Sequence, residues 1–129
     1  MDIPHNVVGW FEIPVKDMER AVRFYESVFG LRLTRHKLGP LDMAWFPWVE
    51  SGHGSSGALV FLEEAYKPSR DGVLVYFTAF SGDVAVELGR VEDAGGRVLE
   101  EKKLISEDVG YMGLILDSEG NRIAIHSRK

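Results

Sequence analysis

Apolar residues along this chain follow strand spacing at first and helix spacing immediately afterwards. The run Trp10–Val15 is rich in side chains that favour strands. Over Met18–Phe29 the apolar residues recur at the i, i+3, i+4 and i+7 positions of one helical face, which predicts a helix. This face comprises Met18, Ala21, Val22, Tyr25, Val28 and Phe29. Asp17 stands at the expected N-cap, and Gly30 is the kind of residue that commonly ends a helix.

The chain repeats this layout. A second strand pattern at Phe77 corresponds to the one at Phe11. It is followed by a second expected N-cap at Asp83 and by a second pair of helix-ending residues, Gly95 and Gly96. The same shift also pairs Asp17 with Asp83, Glu26 with Glu92, Gly30 with Gly96 and Leu33 with Leu99, and the second helix has Val84, Leu88, Val91 and Ala94 on its apolar face. Two copies are too few for a stacked array, so the repeat indicates a duplicated module with two-fold pseudo-symmetry.

Further extended runs complete each copy. They cover 31–38, 43–49 and 58–62 in the first half, and 97–105, 111–117 and 121–127 in the second. The residue pair Gly39 and Pro40, the loop 51–57 and the acidic, glycine-containing stretch 117–121 predict turns between them. Each half therefore reads β-α-β-β-β, which predicts an α+β fold. We expect a single domain over 1–129, with module one at 7–63, a linker at 64–72 and module two at 73–127.

Composition narrows the class of protein. At 129 residues the chain fits one compact domain, and 45% hydrophobic with 27% charged residues is ordinary for a globular protein. No apolar run approaches the roughly 18 residues needed to cross a bilayer, and the N-terminus lacks a signal-peptide pattern. The absence of cysteine excludes disulfides and fits a cytoplasmic location. A net charge of -5 with interleaved signs predicts no nucleic-acid or membrane partner, and favours a small neutral or cationic ligand.

Three segments carry a family resemblance that extends from Val7 to His126: VKDMERAVRFYESVFGLRL, VEDAGGRVL and DSEGNRIAIHS. With the duplication, they resemble the vicinal oxygen chelate superfamily, which includes glyoxalase I, bleomycin-resistance proteins and extradiol dioxygenases. The closest likeness is to its bacterial branch related to lactoylglutathione lyase. The resemblance implies two modules whose curled mixed sheets form a cup, and commonly a homodimer.

The resemblance also implies where a metal would bind. Metal-dependent members place His, Glu or Gln at one position on each of four strands, and these positions fall here on Trp10, Phe61, Tyr76 and Ala124. None of the four is a strong ligand for a divalent ion. We therefore expect no cofactor, and we expect the aromatic side chains to form an apolar pocket wall. Trp45 is a further candidate for the wall of the cup.

Two residues further along each strand, alternation predicts a polar ring on the same face. Its members are Glu12, Glu63, Thr78 and His126. One interpretation is a shifted site for a divalent ion such as Zn, Ni, Fe or Mn. A second is acid/base catalysis, with Glu12 or Glu63 as base and His126 as acid or orienting group. A third is that these strand ends are simply solvated.

Three functions follow from these patterns. The first is a small-molecule binding protein of the resistance type, which needs an aromatic cup and no metal. The second is a lyase or isomerase resembling lactoylglutathione lyase, with Glu12, Glu63 and His126 as its catalytic residues. The third is a scaffold whose cup serves only in dimer formation. The sequence favours the first, and fold-level likeness alone cannot decide between them because one fold hosts many functions.

Overall fold

The computed structural model describes residues 2–129, and its first half folds as predicted into a strand, a helix and three strands. These elements are β1 (Phe11–Pro14), α1 (Met18–Phe29), β2 (Thr34–Leu38), β3 (Leu41–Trp45) and β4 (Gly57–Phe61). Helix α1 begins where the Asp17 carboxylate accepts a hydrogen bond from the backbone N–H of Arg20 at 3.1 Å. It ends at Gly30, whose φ of 68° lies in the left-handed region that glycine tolerates.

The second half repeats this order. Its elements are β5 (Val75–Thr78), α2 (Val84–Val91), β6 (Arg97–Ser106), β7 (Gly110–Leu116) and β8 (Arg122–Ser127). The Asp83 carboxylate caps α2 by accepting from the backbone N–H of Ala85 at 3.0 Å. Helix α2 is shorter than predicted. Regular helix ends at Val91, and the chain then turns through Ala94 to Gly95, whose φ is 103°.

Two four-stranded mixed sheets result, and they have the same topology. Sheet one has the order β1-β4-β3-β2 and sheet two has the order β5-β8-β7-β6. In each, the first and last strands of the module pair in parallel, and the remaining neighbours pair antiparallel. This correspondence confirms the duplicated α+β fold.

One hydrophobic core lies between the sheets and the helices and runs through both modules. Phe77 of module two lies 4.7 Å from Phe29 and 5.6 Å from Phe11 of module one, measured between ring centroids. Fully buried residues of α1, such as Phe24 and Tyr25, belong to the same cluster as Ile115 and other residues of sheet two. We call the sheet faces that contact this core the helix faces, and the opposite faces the cup faces.

Strand β3 differs from its prediction. It spans Leu41–Trp45, whereas the sequence pattern placed a strand at 43–49. The backbone N–H of Phe46 still donates to the carbonyl of Gly57 at 2.9 Å, but Pro47 has no N–H and pairing stops there. Among residues 2–129, no helix is both long enough and apolar enough to span a bilayer.

Candidate functional site

The cup face of sheet one is a row of side chains fixed by the strand register. Glu12 of β1 lies opposite Ala58 of β4, and Ala58 lies opposite Trp45 of β3. Because alternate residues share a face, Val60 and Met43 lie on the same side one step along. The small Ala58 therefore forms a floor between a carboxylate on one strand and an indole two strands away.

Phe61 does not share this face, contrary to the expectation from the sequence. It lies opposite Asp42 and next to Val60 along β4, so its side chain points to the helix face, where it packs against the main core. A shift of one residue reverses the face of every side chain in a strand. The residues of β4 on the cup face are Ala58 and Val60, and neither side chain can bind a metal ion.

Aromatic side chains cover the cup face of sheet one. The Trp10 and Trp45 rings meet edge to face at 5.6 Å, and the His36 ring stacks on Trp45 at 3.9 Å between centroids. Tyr66, from the linker between the modules, packs on the cluster that Met43 forms with Ala58 and Val60. These three cluster residues are buried as a result. Together, these side chains form an aromatic niche with a buried floor and a solvent-exposed rim at Trp10 and Glu12.

Tyr66 also reaches the one carboxylate of this niche. Its hydroxyl donates to Glu12 Oε1 at 2.6 Å, and this hydrogen bond raises the pKa of Tyr66. The phenol therefore remains a protonated donor at neutral pH. Tyr66 could not be predicted as a site residue, because it lies in the polar stretch 64–72, whose pattern predicts only a linker. The signal that the sequence offered for a role of Tyr66 was a single aromatic residue within an otherwise polar stretch.

The predicted polar ring does not assemble. Glu63 follows the end of β4 in an exposed turn and does not stand beside Glu12. His126 lies opposite Thr78 on the cup face of sheet two, as the sequence predicted. Its Nε2 donates to the carbonyl oxygen of Val109 at 2.6 Å, so the turn between β6 and β7 orients the imidazole.

The cup face of sheet two is buried along its central strands and exposed along β5. Tyr76 lies opposite Ala124, as expected from alternation, and remains 52% exposed while Ala124 is fully buried. Thr78 is exposed as well. Arg122 shares the alternation of Ala124 and His126, and its Nε has no hydrogen-bond partner within residues 2–129. Within the same residues, Trp45 Nε1 is the other buried side-chain nitrogen that lacks a partner.

The donor set does not fit a divalent cation. Trp10 and Ala124 offer no metal-binding atom, Tyr76 offers only a phenol, and Phe61 lies on the other face of its sheet. In the part of the chain that is described, no group of three or more His, Cys, Asp or Glu side chains is placed to hold an ion.

A buried polar network holds the two modules in register beside the site. Asp117, at the start of the predicted hairpin turn, accepts from the Tyr25 hydroxyl at 2.6 Å and from the backbone N–H groups of Glu119 and Asn121 at 2.9 Å. Asn121 Nδ2 donates to the carbonyl of Pro14 at the end of β1 at 2.8 Å. Burial raises the pKa of Asp117, although these hydrogen bonds oppose the shift. It also raises the pKa of Tyr25.

Glu119 extends the network to the start of α1. Its Oε1 accepts from the backbone N–H groups of Lys16 and Asp17 at 2.8 and 2.9 Å, and its Oε2 accepts from Arg20 Nε at 2.8 Å. Burial alone would raise the pKa of Glu119, but the hydrogen bonds outweigh it and lower the pKa from 4.5 to about 2. The hairpin of module two thus fixes the strand that carries Trp10 and Glu12.

Two recesses lie elsewhere on the surface. One, of about 750 Å³, is lined by the N-terminal segment 3–9 and by parts of the loop 48–56, including the exposed Trp48. The other, of about 490 Å³, lies on the outer side of α1 beside Arg23 and Arg32. Neither has a lining residue on the strands of the cup faces, so we place the candidate site at the aromatic niche, where packing, a carboxylate and an unpartnered donor coincide.

Comparisons with known proteins agree with this architecture. A family model described as Glyoxalase/Bleomycin resistance protein/Dioxygenase superfamily matches residues 7–125. None of the curated proteins compared matches the sequence. A glyoxalase I mutant from Zea mays superposes with a TM-score of 0.71 at 17% identity, covering 93% of this chain and 46% of that chain, so the chain spans about half of that protein.

Two further structures match over most of their own length. A glyoxalase-related enzyme from Fulvimarina pelagi has a TM-score of 0.69 at 17% identity, over 93% of this chain and 86% of that chain. An antibiotic binding protein from Streptomyces sp. CB03234 has a TM-score of 0.67 at 21% identity, over 99% and 100%. At such identities these likenesses establish the fold alone.

Proposed function

The chain belongs to the Glyoxalase/Bleomycin resistance protein/Dioxygenase superfamily, and from this membership we propose that it binds a small, partly apolar organic molecule without a divalent metal. The observation that carries the proposal is the aromatic niche of Trp10, Trp45 and Tyr66 on the cup face of sheet one. Aromatic walls with a few placed polar groups are typical of small-molecule sites. The likeness to an antibiotic binding protein points in the same direction.

The chemistry of the implied ligand positions supports binding without a metal. Trp10 and Tyr76 place aromatic rings where metal-dependent members are expected to have donors, and Ala124 places a methyl group there. We therefore assign no reaction step to a metal ion. Burial of apolar surface against these side chains would contribute binding free energy. The Trp45 indole N–H would orient the ligand by donating a hydrogen bond to one of its acceptor atoms.

Acid/base catalysis receives less support. It would need Glu12 or Glu63 to act with His126 on one reacting atom. Glu12 is hydrogen-bonded to Tyr66, His126 is hydrogen-bonded to a backbone carbonyl, and Glu63 lies in an exposed turn. A catalytic role would predict that Glu12→Gln and His126→Ala abolish a turnover detected with any carbonyl substrate.

The test is a thermal-shift screen of the purified, metal-analysed protein against a small-molecule library. A ligand that binds the native state must raise the melting temperature, and saturation at about 100 times Kd would add about 2.7 kcal/mol of stability. Hits should lose most of their shift in a Trp45→Ala variant and keep it after treatment with a chelator. Stoichiometric zinc, nickel or iron in the untreated protein, together with hits that disappear on chelation, would contradict the proposal.

We also propose a homodimer, as the family resemblance implies. Large apolar side chains lie exposed in the N-terminal segment, as at Val7 and Val8, and in the loop that carries Trp48 and Val49. Exposed apolar clusters of this kind are typical of protein contacts. Light scattering coupled to size exclusion would give twice the chain mass of 14.5 kDa, and a monomer at micromolar concentration would refute it.

A further inference from the structure

The aromatic niche contains one negatively charged side chain, Glu12. Glu12 is the one carboxylate on the cup face of the strands β1 to β4, since the register directs Arg35 and Asp42 to the other face, where they pair at 2.9 Å. No lysine or arginine within residues 2–129 lies within 4.0 Å of the Glu12 carboxylate. The acidic charge at the niche is therefore uncompensated by any neighbouring cation of the described chain.

Aromatic faces and edges surround this charge. Trp10 and Trp45 meet at 5.6 Å above the Ala58 floor, and Tyr66 lies on the same cluster with its hydroxyl on Glu12. Aromatic rings attract a cation through the negative charge of their faces, with tryptophan the strongest. An anionic ligand would meet both the carboxylate and the negative ring faces, and would be repelled.

We propose that the niche formed by Trp10, Trp45, Tyr66 and Glu12 recognises the ammonium group of an organic cation. This inference rests on the proposed small-molecule function and names its substrate class. The ammonium group lies against the exposed ring of Trp10, beside Trp45, one face of which is covered by His36, and Glu12 balances its charge. A metal cation is not the ligand, because the niche offers a single carboxylate and no further charged oxygen donor.

The unpartnered indole N–H adds a second requirement. Trp45 Nε1 is buried and has no acceptor within the described chain. A buried donor without a partner destabilises the structure, so a ligand oxygen that reaches this N–H restores a hydrogen bond. The ligand class is thus an ammonium compound that also carries a hydroxyl or carbonyl oxygen. Trp10 and Glu12 are exposed at the rim of the niche, so a cation can reach them directly from solvent.

The experiment compares two probes of one shape, choline and its neutral isostere 3,3-dimethylbutan-1-ol. Binding is followed by tryptophan fluorescence in a Trp48→Phe background, so that Trp10 and Trp45 are the reporters. We expect choline to bind about 5- to 30-fold more tightly than the alcohol, the range of cation–π and charge contributions of 1–2 kcal/mol.

Variants assign the preference to the niche. Glu12→Gln keeps an acceptor for the Tyr66 hydroxyl but removes the charge, and should bring the choline affinity down to that of the alcohol. Glu63→Gln is the matched control, because Glu63 is an exposed carboxylate at the end of the same sheet and should leave the preference unchanged. Trp10→Leu should weaken choline binding about 5-fold or more, with circular dichroism confirming the fold.

Each other outcome overturns the inference. Equal affinities for the two probes would exclude charge recognition while leaving the proposed apolar site intact. A preference that survives Glu12→Gln, or that Glu63→Gln removes, would place the cation elsewhere. Absence of choline binding up to tens of millimolar would also refute it, and the neutral library screen would then decide separately whether the proposed function stands.

Discussion

The two modules share one topology, yet their cup faces are covered differently. In module one, Tyr66 of the linker packs on Met43 and Val60 of the central strands. In module two the central-strand residues Met112 and Ala124 are also buried, but no aromatic linker residue packs on them, and Tyr76 and Thr78 of β5 remain exposed among the described residues. The strand order is the same in both sheets, so topology does not account for the difference. Duplication of a module therefore fixes where the strands lie but leaves the surface chemistry of each sheet to be set separately.

The linker explains the asymmetry. Two modules have only one connection, and this connection folds back over sheet one, where Tyr66 packs. Its path is fixed further along by Ser69, whose backbone N–H donates to Asn121 Oδ1 at 3.0 Å. In sheet two the turn between β6 and β7 reaches the cup face instead, where the carbonyl of Val109 accepts from His126, and the first strand stays exposed at Tyr76 and Thr78. An aromatic cover from the linker on one sheet, and none from it on the other, is thus the expected result of joining two copies with one linker.

The largest effect is expected where the two modules are joined. Asp117→Ala would leave the Tyr25 hydroxyl and the backbone N–H groups of Glu119 and Asn121 without an acceptor. Unsatisfied buried donors cost about 1–3 kcal/mol each, so we expect a loss of about 4 kcal/mol in the free energy of unfolding. Urea denaturation at neutral pH measures it.

Asp108→Ala is the control for this change, because Asp108 is exposed in the turn between β6 and β7. It should alter stability by less than about 0.5 kcal/mol. A similarly small loss for Asp117→Ala would mean that the hairpin does not hold the two modules together. The contrast between the two cup faces could then not be attributed to modules held in a fixed arrangement.

A smaller effect should separate the two cup faces directly. Tyr66→Ala removes the aromatic cover of Met43 and Val60 and the hydrogen bond to Glu12, so we expect about 2 kcal/mol of destabilisation. Tyr76→Ala, on β5 of sheet two, should cost under about 0.5 kcal/mol since Tyr76 is 52% exposed. Thermal unfolding of both variants tests the pair. Equal losses would contradict the assignment of Tyr66 as a cover of sheet one.

The smallest effect concerns pH at the junction. Glu119 has its folded-state pKa lowered from 4.5 to about 2, chiefly through Arg20 once burial is overcome. A carboxyl group with a lower pKa in the folded state stabilises the fold at pH values above its unfolded-state pKa. This stabilisation is lost as the pH falls from 4.5 towards 2. Arg20→Gln should therefore destabilise by about 1.5 kcal/mol near pH 7, at the low end for hydrogen bonds to charged groups.

The difference between wild type and Arg20→Gln should then shrink on acidification through that pH range. Arg23→Gln provides the comparison, because Arg23 is exposed on α1 and makes no ion pair within the described residues. Urea midpoints measured at several pH values give the result. A destabilisation by Arg20→Gln that is constant across the range would show that Glu119 is not the group being stabilised.

The repeat allowed much of the fold to be predicted from sequence. Asp17 and Asp83 cap the helices as expected, and Gly30 ends α1 in the left-handed conformation, because capping depends on short-range chemistry that the sequence contains. The end of α2 was less predictable. Ala94 continues the apolar spacing, but the chain turns there before Gly95 and Gly96.

The site was predicted less completely, for two physical reasons. The cup-face position of Phe61 was predicted by matching a motif. An error of one residue along a strand moves a side chain to the opposite face, and the cup face of β4 carries Ala58 and Val60 instead. Tyr66 was missed because its role depends on the path of a linker, which no local pattern encodes. Tyr76, Ala124 and the pairing of Thr78 with His126 followed from alternation alone, since β5 and β8 are regular.

The hairpin contact with the start of α1 has a consequence for biosynthesis. The amides of Lys16 and Asp17 are satisfied by a carboxylate 103 and 102 residues downstream. Helix α1 can be capped locally by Asp17, but in a nascent chain the two amides that precede it lack this acceptor until Glu119 has been translated. Synthesis of the last hairpin supplies this carboxylate, so truncated products ending before that hairpin should remain open to proteolysis at the first module.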